Sequence, residues 1–176
     1  MAQNSFIKLA LMTEILFMVD HMLIKLGKYL RIIGCDAAWD QQIRTHELIA
    51  RANADGRIFL TRNTHIAEQY PHPAKLFLLR ETDPVKQFQI LVAEFHLDPQ
   101  ERLFSKCIRC NVVLEKVGDK GKIRAFVHPN VFARFADFFT CPKCGTVFWK
   151  GSHVVNTCRK LGLARPEGKS VRGSGD

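Results

Sequence analysis

No apolar stretch in this 176-residue chain reaches the ~18 residues that a membrane span requires, because Thr13 and Glu14 interrupt the run from Leu9 to Val19. The same two residues spoil a secretory h-region, and the lack of arginine before Arg31 makes a poor mitochondrial presequence. A reducing, cytoplasmic setting is therefore expected, with no membrane partner. Internal repeats are absent too. The low hydrophobicity of a disordered chain is also missing, since 47% of the residues are hydrophobic and 13 are Phe. That supply supports one medium domain, or one domain with a small metal-stapled module.

Four of the six cysteines stand in two CxxC pairs, Cys107-Ile-Arg-Cys110 and Cys141-Pro-Lys-Cys144. A CxxC turn aims two thiolates at a common centre, so two such turns build a closed four-thiolate shell suited to zinc. A closed shell holds structure and leaves no position for catalysis. The thirty residues from Asn111 to Thr140 exceed the usual spacing, so the insert must form its own hairpin or loop, with Gly118-Asp-Lys-Gly121 the hairpin candidate. A disulfide framework or a redox pair is the alternative. Cys35 reads as a small hydrophobe in a strand, and Cys158 as a thiol in a basic, exposed stretch. Neither is assigned to the metal.

Positive charge is scarce in the first part of the chain. Residues 1–100 hold eleven Lys and Arg against eleven Asp and Glu, leaving fifteen against six for residues 101–176, so the whole net charge of +9 lies in the cysteine-bearing part. A basic module beside a neutral one is the footprint of a phosphate-backbone binder, or of a solvated basic surface.

Glu14 to Asp20 reads as a buried parallel strand ending in a carboxylate. A helix follows from His21 to Ile33, with Met22, Leu23, Leu26, Leu30 and Ile33 on one stripe, Lys25, Lys28 and Arg31 off it, and Gly34 as its left-handed stop. A short strand near Cys35–Trp39 precedes a helix over 45–54, with Thr45 as N-cap and Gly56 just past the end. Strands follow at Arg57–Thr61 and Lys75–Arg80, around a helical piece near Ile66–Gln69 that Pro71 and Pro73 end. Asp83-Pro84 opens a helix running to His96. Alternation of strands and helices predicts a parallel α/β sheet, whose ligands bind beyond the carboxyl ends of the strands, near Asp20 and the Thr61-Arg62-Asn63 turn.

Phe17-Met-Val-Asp20-His-Met-Leu-Ile-Lys-Leu-Gly-Lys-Tyr-Leu-Arg31-Ile-Ile-Gly34-Cys-Asp36 resembles the opening signature of the Mut-seven C-terminal ribonuclease domain family. Gly56 to Arg62 is similar to that family's central strand and turn, and Cys107 to Asn111 to its first zinc knuckle. Cys141 to Gly145, with Phe148-Trp149-Lys-Gly-Ser-His153, is similar to its second knuckle and trailing signature. The resemblance covers roughly residues 15 to 155 and implies a PIN-like fold carrying a zinc ribbon, and the change of composition after Pro99 divides the chain into a PIN-like α/β domain over 1–99 and a zinc ribbon over 100–162, while the Pro, Gly, Ser and charge of 163–176 read as a disordered basic tail. It further implies a ribonuclease, a hydrolase in which carboxylates at strand ends hold Mg²⁺ or Mn²⁺ against the scissile phosphate, with Asp20 the catalytic candidate. Asp20 also suits an ordinary cap on the following helix.

Two departures bear on that chemistry. The family continues its central strand as Thr-Arg-Asp where this chain has Asn63, and it tends to start the second helix with aspartate where this chain has Thr45. Losing two negative charges weakens a divalent site by an amount on the order of several kcal/mol. Asn63 retains a carbonyl oxygen, and Asp36, Asp40 and Glu47 lie near in sequence, though Asp40 and Glu47 read more readily as surface charges.

Two functions therefore compete: a metal-dependent ribonuclease using Asp20, and an inactive RNA- or ribonucleoprotein-binding module. In the second, Lys106, Arg109, Lys143 and Lys150 would meet phosphates and Trp149 or Phe148 would stack on bases. A protein-interaction or assembly factor is the third reading.

Overall fold

Leu16–Val19 forms strand β1, whose side chains are buried on both faces from Phe17 onward, as the centre of a parallel sheet requires. The structure, a computed structural model, describes residues 14–68 and 72–164. Within them the chain divides into two compact units, one of residues up to Leu30 together with 35–84, the other of Arg31–Gly34 together with the residues from Val85 on. None of the described helices is long and apolar enough to cross a membrane. The expected basic tail lies outside the described residues from 165 onward, and the expected helix-ending Pro71 lies outside them too.

In the first unit, β1 is joined by β2 (Asp36–Ala38), β3 (Ile58–Thr61) and β4 (Leu76–Leu78) in the order β2-β1-β3-β4, every pairing parallel. After β1 the chain makes a 3₁₀ turn over His21–Leu23 and continues into helix α1, Ile24–Ile32, whose last two residues belong to the second unit. Gly27 lets this helix approach the sheet, since a Cβ there would come within 2.9 Å of the Trp39 ring. Helix α2, Thr45–Ala54, turns Leu48, Ile49 and Ala52 onto Met18, Phe59 and Ile66 to form a fully buried core. Burying side chains of this size stabilises the unit by roughly 1.5–3 kcal/mol for each large one.

The start of α2 differs from expectation in one respect. Arg44, rather than Thr45, is the capping residue, because the Glu47 carboxylate reaches back to accept the Arg44 backbone N–H at 3.0 Å. Thr45 thus becomes the first helical residue. Gly56 follows the helix at φ +66°, as its sequence position suggested.

The second unit carries helix α3, Pro84–Glu94, over nearly all its length, then strand β5 (Glu115–Lys116), helix α4 (Pro129–Arg134), strands β6 (Phe139–Thr140) and β7 (Val147–Phe148), and helix α5 (Ser152–Leu161). The last three strands make an antiparallel sheet in the order β5-β6-β7. The expected hairpin at Gly118–Gly121 is not formed. Asp119 instead accepts the Gly121 N–H and starts a 3₁₀ helix over Lys120–Phe126, which brings Ile123 and Val127 onto Phe138. Phe132, Phe135 and Trp149 pack around this second core, so most of the aromatic clusters of the sequence fill the interior of the insert.

Candidate functional site

The order β2-β1-β3-β4 reverses between β1 and β3, since the chain steps from β1 to one side and returns on the other. At such a switch point the outgoing connections diverge and leave a crevice beyond the strand ends. Asp20 follows β1 and Thr61 ends β3, so both stand at that crevice.

The two side chains are bonded. Thr61 Oγ1 donates to Asp20 Oδ2 at 2.5 Å, while Asp20 Oδ1 accepts the His21 N–H at 2.7 Å and so caps the 3₁₀ turn. Asp20 is 4% exposed and Thr61 is fully buried. His21 Nδ1 stands 3.3 Å from Asp20 Oδ1, and its Nε2 stands 3.0 Å from the Ile43 carbonyl oxygen, so both ring nitrogens face oxygen acceptors. The Asn63 N–H donates to Thr61 Oγ1 at 3.0 Å, and Asn63 Oδ1 accepts the His65 N–H, which turns the carboxamide oxygen onto its own backbone.

The other nearby acids are committed elsewhere. Asp36 pairs in register with Leu16 at the amino end of the sheet, opposite to Asp20, and its Oδ1 takes the Arg57 guanidinium at 2.6 Å. That placement removes Asp36 from the mouth that its sequence position suggested. Asp40 holds the Gln42 N–H and Arg51, and the first of these above all keeps its carboxyl below the ordinary value. Glu47 caps α2. Asp20 is therefore a single carboxylate at the strand ends, each oxygen of which accepts one hydrogen bond. Among the described residues the four ribbon cysteines form the one group of three or more side chains able to hold a metal.

In that group each donor atom lies within 4.8 Å of the others. Cys107 Sγ and Cys144 Sγ are 3.9 Å apart, close to the ~3.8 Å that a tetrahedron with zinc–sulfur bonds of about 2.3 Å demands. The two knuckles are built alike. In each, the second cysteine's N–H points at the first cysteine's sulfur at 3.4 Å, and the next residue takes a left-handed conformation, Asn111 at φ +62° and Gly145 at φ +68°. Asparagine and glycine are the residues that tolerate this conformation most readily. Burial pushes the Cys107 thiol up, while hydrogen bonding by the Thr146 hydroxyl and N–H lowers Cys144 to about 6. Cys110 is pushed up to about 12, first by its hydrogen bond to Cys144. The cluster is compatible with structural zinc, which replaces the shared protons.

Arg31 supports the first knuckle. It is 3% exposed, and its Nη1 donates to the carbonyl oxygens of Ile108 and Arg109 at 3.0 and 2.9 Å. Sequence reasoning set Arg31 off the buried stripe of α1 and gave no sign of this role.

The cations expected to meet phosphate divide. Arg109 and Lys143 are exposed, with Arg109 Nη1 3.3 Å from Thr146 Oγ1, and Lys150 is half-buried. Lys106 is 7% exposed and its backbone bridges Val113, so it drops out of the surface set. Trp149 packs against Phe138 and takes the His153 ring edge-on at 5.8 Å, leaving its ring half-buried. Phe126, which the sequence did not single out, is 76% exposed between the knuckles. Cys158 also differs from expectation: it is buried on the inner face of α5 with Val154 and Leu161, and burial pushes its thiol up.

The described chain thus joins a four-stranded parallel α/β sheet to a four-thiolate cluster. The Mut7-C RNAse domain family matches residues 15–161, and the chain belongs to that family. Comparison with curated proteins and with solved structures gave no match.

Proposed function

We propose that this chain is a ribonuclease-like protein that binds RNA through its zinc ribbon and has given up divalent-metal cleavage at the strand ends. The observation that carries this reading is Asp20 itself. No other described acid joins it, since Asp36 lies at the opposite end of the sheet, Asp40 is paired with Arg51 and Glu47 caps α2, and the positions at which the resemblance leads one to expect further acids are Thr45 and Asn63. Family membership supports an RNA-related role.

The ribbon offers what a flexible, single-stranded polyanion needs. Arg109 and Lys143 project from the two knuckles, and Lys122 and Arg124 flank Phe126 on the 3₁₀ helix of the insert. Arg124 lies 5.8 Å above the Phe132 ring, which steadies its guanidinium at the surface. Bare aromatic rings interleaved with cations bind bases by stacking and backbones by charge, with little demand on sequence. Zinc would keep the two knuckles in register.

The test is fluorescence anisotropy of a labelled single-stranded RNA across a salt series. Affinity should fall steeply, with a log–log slope of about −0.7 for each phosphate neutralised. Arg109→Ala with Lys143→Ala should flatten the slope, and Phe126→Ala should cost about 1–3 kcal/mol at every salt concentration. An affinity indifferent to salt and to all three substitutions would refute the reading.

A further inference from the structure

The four ribbon sulfurs differ in access. Cys107 and Cys141 are 0% and 1% exposed, whereas Cys110 is half-buried and Cys144 is exposed. Each accessible thiol is the second of its knuckle, and Cys110 hydrogen-bonds Cys144 across the cluster. Cys144 Sγ also stands 3.2 Å from Thr146 Oγ1, on which Arg109 Nη1 rests at 3.3 Å. Two hydrogen bonds thus connect a surface guanidinium to the exposed sulfur.

Bound zinc would keep all four sulfurs as thiolates, the form that oxidants attack. Burial then decides which of them a small peroxide reaches, and Cys144 comes first. Its thiolate attacks one peroxide oxygen and the O–O bond breaks, so the sulfur becomes a sulfenic acid and the other oxygen leaves as hydroxide. The Cys110 thiolate then attacks the Cys144 sulfur, closing a disulfide and expelling a second hydroxide. Two thiolates have given two electrons to one peroxide, which leaves as two hydroxide ions. Cys107 and Cys141 remain as thiolates, and they are half of the shell that a closed tetrahedral site requires.

The consequence falls on the cations of the ribbon. Arg109 directly precedes Cys110, and Lys143 directly precedes Cys144. The sulfurs lie within 4.8 Å of one another, and drawing two of them to bonding distance shifts the backbone that carries both cations. The same closure disturbs the Thr146 hydroxyl on which Arg109 rests. We propose that Cys110 and Cys144 form a peroxide-sensitive pair whose closure to a disulfide releases the ribbon's hold on RNA. The oxidation site rests on the cluster alone, and its effect on RNA rests on the reading that the ribbon binds RNA.

The test treats the full zinc-loaded chain with one equivalent of hydrogen peroxide in the presence of a chromogenic zinc chelator, then unfolds, alkylates and maps it by peptide mass spectrometry. Zinc should be released together with a Cys110–Cys144 disulfide, while Cys107, Cys141 and Cys158 are recovered as alkylated thiols. Cys35→Ser should release zinc at the wild-type rate, because Cys35 lies outside the cluster. Anisotropy with a labelled single-stranded RNA should then show affinity falling about tenfold or more after peroxide and returning on treatment with a dithiol and zinc. Retention of zinc, first oxidation at Cys35, or a disulfide that includes Cys107 or Cys141 overturns the oxidation site. A Cys110–Cys144 disulfide that leaves RNA affinity unchanged overturns its regulatory role. Failure of the untreated protein to bind RNA refutes the functional reading instead, and the mapped disulfide with zinc release still decides the oxidation site.

Discussion

Thr61 Oγ1 donates a 2.5 Å hydrogen bond to Asp20 Oδ2 and thereby joins the carboxyl ends of β3 and β1. The acceptor is a buried carboxylate, so the bond carries charge and has little competition from water. Thr61→Val keeps the shape and removes the donor, leaving Oδ2 unsatisfied. Chemical denaturation of that variant should show a loss of about 1–3 kcal/mol, with a smaller loss for Thr61→Ser.

Zinc binding is the second expectation. Elemental analysis of protein purified without chelator should give one zinc per chain, since four thiolates within 4.8 Å of one another make one tetrahedral site. Metal removal should unfold the β5-β6-β7 sheet, seen as lost near-ultraviolet dichroism from Trp149 and the packed Phe rings. Structural zinc contributes on the order of 10 kcal/mol to the folding of such modules.

Arg31 should matter to that metal without touching it. Removing its two hydrogen bonds to the Ile108 and Arg109 carbonyls frees the backbone between Cys107 and Cys110. Arg31→Met should lower zinc affinity by roughly 10–100-fold in a chelator competition, the range found when groups supporting a metal site are lost. Unchanged competition would show that the knuckle holds its shape alone.

Cys158 provides a test of burial in α5. Because burial pushes its thiol up, it should resist alkylation at pH 8 in the native zinc-loaded protein and react once urea unfolds the chain. Burial penalises the Cys158 thiolate in the folded state, so stability is unaffected below the ordinary thiol value and falls as pH rises from there through the raised one. Rapid native-state labelling of Cys158 would contradict its placement.

The strands and helices of the sheet were legible because their signals are local: an apolar run into Asp20, a stripe on α1, a glycine at each helix end. The four-cysteine cluster was legible because ligand spacing is itself local. What failed depended on register or on neighbours distant in sequence. Asp36 is one strand away from Asp20, but parallel pairing with Leu16 puts it at the opposite end of the sheet. Lys106 looked like a surface cation beside Cys107 until its bridge to Val113 drew it inward. Cys158 shares the buried face of α5 with Val154 and Leu161, whereas the basic residues around it in sequence suggested exposure. No sequence pattern revealed that Arg31 would be buried against a knuckle or that the Arg62 Nε would be left without a partner.

We propose that this chain keeps the family's fold and an RNA-binding ribbon and lacks a working divalent-metal centre at Asp20. The most direct test is a denaturing gel of end-labelled single-stranded RNA incubated with zinc-loaded protein and Mn²⁺, run for wild type, Asp20→Asn and the Thr45→Asp/Asn63→Asp double substitution. The account predicts that wild type and Asp20→Asn leave the RNA equally intact while binding it. Cleavage by wild type that Asp20→Asn abolishes would contradict it.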